Sequence, residues 1–191
     1  MRCYFKKPVI FAKNKIRMSK KYDVIYADPA WRYSFSKSNS RKIENQYPTM
    51  TIKEMCDLPV KDLAKENAVL YMWTTSPKLE ESFKLIKAWG FKYKTHCIWD
   101  KETIGMGYWF RGQHEILMVC TKGKFSPPEP KDRISSVIKE KKTKHSKKPL
   151  KVRDMIEKWF LNVDRLEMFA RTSGKNWDVW GNEVSDSIKI E

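Results

Sequence analysis

The stretch Tyr22-Asp23-Val24-Ile25-Tyr26-Ala27-Asp28-Pro29-Ala30-Trp31 decides how this chain folds. Its first six residues form an almost continuous apolar run, the pattern of a parallel strand buried on both faces. The next four place an acid, a rigid imino acid and a flat aromatic where a parallel sheet delivers its strand ends to a ligand crevice. Those groups suit an aromatic amine. A carboxylate and a backbone carbonyl accept hydrogen bonds from an exocyclic NH2, and proline fixes its own backbone. An indole offers a stacking face to a base. Taken alone, the tetrapeptide is equally an ordinary strand-ending turn that contains a tryptophan.

Working outward, Thr51-Ile52-Lys53-Glu54 is a capping-box pattern that starts a short helix, and Leu58-Pro59 ends it. Ala68 to Trp73 reads as a second buried strand. Ser76-Pro77 opens a helix whose apolar stripe is Leu79, Phe83, Ile86 and Trp89, and Gly90 stops it. Phe91 to Trp99 and His114 to Thr121 read as strands, separated by a glycine- and aromatic-rich loop at Gly105 to Gly112. Its Gly-x-Gly has no strand-loop-helix around it, which excludes a dinucleotide fingerprint. A helix over Leu150 to Leu161, a strand at Asp164 to Ala170 and a short strand at Trp177 to Trp180 follow. Strands alternating with helices predict one α/β domain over 22–191, with a mostly parallel sheet and helices on both faces. Residues 1–21 read as a basic arm, and segments near 32–45 and 122–149 as mobile loops.

The charge balance is +16, from 39 basic and 23 acidic residues. Eight basic residues and no acid fall within Met1–Lys21; Lys131–Pro149 holds eight basic and two acidic residues. A polyanionic partner accounts for two such clusters flanking one site, and a solvated charged face is the alternative. Lys141, Lys142 and Lys144 are the candidate phosphate contacts. No apolar run approaches a membrane span. Cys3, Cys56, Cys97 and Cys120 are scattered without a Cys-x-x-Cys, which argues against zinc and a disulfide framework. No metal is expected, and a reduced, cytoplasmic setting is the simplest reading.

The segment Asp28-Pro29-Ala30-Trp31 resembles the Asp-Pro-Pro-Trp motif of the MT-A70-like adenine-N6 methyltransferases, particularly their short phage and bacterial members. Ala30 stands where the second proline is usual. Further on, His145-Ser146-Lys147-Lys148-Pro149-Leu150 leading into a helix, then Arg165-Leu166-Glu167-Met168-Phe169-Ala170-Arg171 as a strand, resemble the family's cofactor segment. Trp177 to Glu183 resembles its phage-type C-terminal signature. The catalytic motif thus precedes the cofactor segment, a permuted order, in a Rossmann-like methyltransferase domain.

The resemblance implies S-adenosylmethionine as methyl donor and the N6 amine of adenine as acceptor. Asp28, Pro29, Ala30 and Trp31 would form the catalytic motif, with the Asp28 carboxylate and the Pro29 carbonyl accepting the amine hydrogens and Trp31 stacking on the base. Tyr47 matches a family tyrosine beside the target, or is a core aromatic before a helix. Lys148 would meet the donor carboxylate. Arg171 and Asn182 would donate to ribose hydroxyls, and Glu183 would accept from hydroxyls or the donor amine. The Phe169 backbone lies where the ligand must pass. Glu167 either belongs to this set or orients Arg171 or Lys148. Asp28 borders both substrates. DNA is the expected polymer; RNA, or a non-catalytic nucleic-acid-binding subunit of the same fold, are the alternatives. Either a homodimer or a heterodimer is compatible with the sequence. The acid-plus-apolar pair that longer members carry upstream of the catalytic strand has no equivalent in Val9–Ser19, so contacts to the donor adenine stay unassigned.

Overall fold

A computed structural model describes residues 20–33, 48–142, 147–188 and 190. Most of the basic arm, Tyr47, Lys144 and most of the 32–45 loop lie outside the described residues.

The apolar run at Tyr22–Ala27 is strand β1, and it sits inside the sheet. On one side it pairs in parallel with β2 (Ala64–Thr74), on the other with β6 (Arg165–Met168). The remaining strands are β3 (Lys92–Asp100), β4 (His114–Lys122), β5 (Val137–Lys139) and β7 (Asp178–Trp180). The seven-stranded order is β5-β3-β4-β2-β1-β6-β7. All neighbours are parallel except that β4 runs against both β2 and β3. The sheet is therefore mostly parallel, as expected.

Strand alternation builds two cores. Ile25, Ala27, Leu70, Met72, Met118, Leu166 and Met168 face one side. They meet α1 (Ile52–Asp57), α2 (Val60–Leu63) and α3 (Leu79–Ala88) through Met55, Leu63, Leu85, Ile86 and Trp89. Val24, Tyr26, Val69, Tyr71, Trp73, Leu117 and Val179 face the other side, against Val152 and Ile156 of α4 (Leu150–Trp159). Helices thus cover both faces.

The capping box at α1 forms: the Thr51 hydroxyl accepts from the Glu54 amide at 3.2 Å, and the Thr51 amide donates to the Glu54 carboxylate at 2.7 Å. The expected stripe on α3 holds only in part: Ile86 and Trp89 are buried. Ser76–Lys78 is a 3-10 turn rather than a first α-turn, and Ser82, Leu85 and Ile86 face inward. Leu79 and Phe83 are left exposed, Phe83 by 44%. Ser82 tolerates burial because its hydroxyl donates to the Lys78 carbonyl at 2.7 Å and sits 2.6 Å from the Thr74 hydroxyl. The segment after β4 also differs from expectation. It contains β5, an edge strand held on β3, whose middle residue Ile138 is buried.

Candidate active site

Parity along the strands chooses which side chains meet at the carboxyl edge of the sheet. Asp28 shares the facing of Tyr26, toward α4. Glu115, at the start of β4, shares the facing of Leu117, also toward α4. Lys148 immediately precedes that helix. The three converge: the Lys148 ammonium lies 2.7 Å from the Asp28 carboxylate and 3.3 Å from that of Glu115. Beneath them, the ammonium stands 5.8 Å from the centre of the Trp73 ring, whose indole N–H donates to the Tyr26 hydroxyl at 2.6 Å.

Burial pushes the Asp28 carboxyl above the usual carboxylate range, against the opposing pull of Lys148. Burial also works against the Lys148 charge. The two carboxylates outweigh it and raise the Lys148 pKa, so the ammonium is retained. Glu115 is a site residue that sequence reasoning missed. Its only signal there is an acid entering an apolar strand, Gln113-His114-Glu115-Ile116.

The motif backbone is pinned from three directions. The Asp28 amide donates to the Met168 carbonyl at 3.4 Å, the Met50 amide to Ala30 at 2.9 Å, and the Trp31 amide to Pro29 at 2.8 Å. The Pro29 carbonyl therefore already accepts one bond and keeps its second lone pair for another. Trp31 is not placed as a stacking face. It is 4% exposed, packs in the core, and its indole N–H donates to the Trp73 carbonyl at 3.3 Å. Its position fits holding the motif in place rather than covering a base.

Beside Asp28 opens a cleft at the ends of β1, β6 and β7, with ≈ 50 Å³ of enclosed space that continues into solvent. Asp28, Pro29, Ala30, Phe169, Arg171, Asn182 and Glu183 line it, so seven of the expected residues share one wall system. Pro48, which follows Tyr47 in sequence, lines it too. Phe169 adopts a left-handed backbone (φ 60°) as it leaves β6, an uncommon conformation for a bulky side chain. Its ring packs edge-on to Trp180 at 5.3 Å, and the Ala170 amide donates to the Trp180 carbonyl at 3.0 Å. A side chain at Gly181 would meet the Ala170 carbonyl oxygen at 2.3 Å, so the two strand ends close together only through glycine. The Arg171 guanidinium stands 3.7 Å from the Glu183 carboxylate.

Two expected residues fall elsewhere. Lys148 reaches the cleft only through Asp28. Glu167 shares the facing of Tyr26 and pairs with neither Arg171 nor Lys148. Its partner is Arg153 of α4 at 2.8 Å, and Arg153 in turn lies over the Trp177 ring at 5.2 Å. Lys141 and Lys142 are exposed, and the Lys142 amide donates to the Lys101 carbonyl at 3.3 Å.

A family model described as MT-A70 matches residues 22–183. Among curated proteins, the chain is 37% identical to "Type II methyltransferase M.MunI" from Mycoplasma sp, over 90% of this chain and 81% of that protein. It is 26% identical to "N(6)-adenosine-methyltransferase MT-A70-like" of Arabidopsis thaliana, over 86% of this chain and 24% of the plant protein. It is 24% identical to human "N(6)-adenine-specific methyltransferase METTL4", over 86% of this chain and 38% of that protein.

Proposed function

This chain belongs to the MT-A70 family, and from that premise we propose that it transfers a methyl group from S-adenosylmethionine to the N6 amine of adenine in DNA. The observation that carries this reading is the Asp28 carboxylate, fixed by Lys148 at 2.7 Å on the rim of a cleft lined by Arg171, Asn182 and Glu183.

The donor set of the cleft fits an amino-acid-bearing nucleoside. Arg171 offers charge to a carboxylate, Asn182 and Glu183 offer a donor and acceptors to hydroxyls or an ammonium, and Phe169 and Trp180 supply ring surface. When bound, S-adenosylmethionine supplies a methyl group already activated on a sulfonium, so no covalent enzyme intermediate is needed. At the acceptor, Asp28 and the Pro29 carbonyl accept the two amine hydrogens. That draws electron density onto a nitrogen whose lone pair is otherwise spread into the ring, and it stabilises the positive charge that develops during transfer. Lys148 holds the Asp28 oxygens in place, and Glu115 anchors Lys148 from the other side. The Trp73 ring floors the group and keeps water from beneath it.

DNA is preferred over RNA because the resemblance to the type II methyltransferase spans most of that protein, whereas the adenosine enzyme is matched over about a quarter of its length. The +16 charge suits either polymer. The test is transfer of labelled methyl from S-adenosylmethionine to matched DNA and RNA, followed by nucleoside analysis. N6-methyldeoxyadenosine is the expected product. Label appearing only in RNA, or at another atom, overturns the reading.

A further inference from the structure

The hairpin between β3 and β4 carries a contiguous apolar tip that nothing in the described protein covers. Met106 is 84% exposed, Tyr108 84%, Trp109 95% and Phe110 89%. Four large apolar side chains side by side in water are unusual on a soluble surface and mark a place of contact. The tip is also pre-shaped. The Gly105 amide donates to the Gly112 carbonyl at 2.8 Å, the Gly112 amide to Met106 at 3.2 Å, and the Arg111 guanidinium to the Gly105 carbonyl at 2.5 Å. A side chain at Gly107 would meet the Phe110 carbonyl oxygen at 1.9 Å, so the turn exists only because glycine stands there. A rigid tip loses little freedom when it is buried by a partner.

Its position narrows what that partner is. Because β4 reverses direction, the hairpin emerges at the same edge of the sheet as Asp28. Glu115, which anchors Lys148, lies three residues beyond the Gly112 neck. A basic strip flanks the root: Lys141 and Lys142 are exposed, the Glu140 amide donates to the Asp100 carbonyl at 3.1 Å and the Lys142 amide to Lys101 at 3.3 Å. Exposed ring faces beside exposed lysines, at the same edge of the sheet as the Asp28 carboxylate, match a nucleic acid strand with its bases turned inward.

We propose that Tyr108, Trp109 and Phe110 form a wedge that enters the duplex beside the target adenine. There they take over the stacking that the adenine gives up when it leaves the helix, while Lys141 and Lys142 hold the neighbouring backbone. This rests on the reading of the protein as a DNA adenine methyltransferase. In a paired duplex N6 is shielded by the stack, so the base must be extruded, and an inserted apolar side chain lowers the cost of the gap it leaves.

The experiment compares kcat/KM on two substrates that share the methylated site, first mapped on plasmid DNA treated with the wild-type protein. One is a fully paired duplex; the other has an abasic position opposite the target adenine, so that little work is needed to extrude it. Tyr108→Ala/Trp109→Ala/Phe110→Ala should lower activity on the paired duplex by roughly tenfold or more, the scale of one base stack. On the abasic-opposed duplex the loss should be several-fold smaller. Trp109→Phe, which keeps a ring, should keep the paired-to-abasic ratio near that of the wild type. Equal losses on both substrates, or no loss on either, overturn the wedge. So does a change in sedimentation showing that the tip joins two protein copies. A wild-type protein that leaves the plasmid unmethylated overturns the DNA reading itself, which separates the two failures.

Discussion

The Lys148 ammonium and the Asp28 carboxylate, 120 residues apart in sequence, stand 2.7 Å apart at the carboxyl edge of the sheet. The pair joins the segment before α4 to the end of β1. On the proposed function, an adenine amine arriving at Asp28 meets a carboxylate whose direction is already set.

Asp28→Ala and Asp28→Asn should each lower single-turnover methylation by about 100-fold or more, the usual scale for removing a group aimed at developing charge. The amide variant fails because it can present a donor where only acceptors serve. The fold should survive, since burial already disfavours the ionised carboxylate. Turnover near wild type in both variants would remove Asp28 from the chemistry.

The acid limb of the rate-pH profile should respond in opposite directions to the two partners of Asp28. Lys148 lowers the Asp28 pKa, so Lys148→Met should move the limb to higher pH. Glu115 raises it, so Glu115→Gln should move the limb to lower pH. Profiles of kcat/KM for the three proteins are the measurement. A shift of both limbs in the same direction contradicts this arrangement.

Asn182→Ala and Arg171→Ala should weaken S-adenosylmethionine binding by roughly tenfold each, with DNA affinity little changed. Both residues line the cleft, and neither belongs to the exposed basic segments. Calorimetry of donor binding, beside a DNA titration, separates the two effects. Unchanged donor affinity in both variants places the donor elsewhere.

Trp31→Ala should cost about 3–5 kcal/mol of stability, because it empties a buried indole site. For a chain of this size that corresponds to roughly 10 °C in Tm. Trp31→Phe should recover most of the loss and most of the activity. If Trp31 were instead a stacking platform, the alanine variant would melt normally and fail only in catalysis.

Lys141→Ala/Lys142→Ala/Lys144→Ala should weaken DNA binding by the same factor on unrelated sequences. The slope of log K against log salt should shrink by about 0.9 for each phosphate that the variant no longer neutralises. Titrations over a salt series on two sequences give both quantities. An unchanged slope identifies the segment as a solvated face.

What the sequence made legible follows from local physics. A strand buried on both faces must be apolar throughout, so β1 announces itself. A capping box needs only Thr51 and Glu54, three residues apart, and it forms. The cleft residues at the ends of β6 and β7 lie in two short segments, so a motif can flag them together. The departures have equally physical causes. The helical phase of α3 is hidden because a 3-10 turn precedes it and a hydrogen-bonded serine occupies an inward position. β5 has three residues, too few to show alternation. Trp31 has the composition of a base platform, but only tertiary packing reveals that its ring is enclosed. Glu115 and Arg153 act through partners 33 and 14 residues away, and no spacing rule connects such pairs.

The reversed strand β4 has a consequence for how this architecture can diversify. A crossover between parallel strands must travel the length of the sheet, so its dimensions are fixed by the core it covers. The β3–β4 connection leaves and returns at one rim, and its ends are clasped by the Gly105–Gly112 hydrogen bonds. Everything between those glycines can therefore be exchanged for a longer or differently shaped insert without altering the register of any strand.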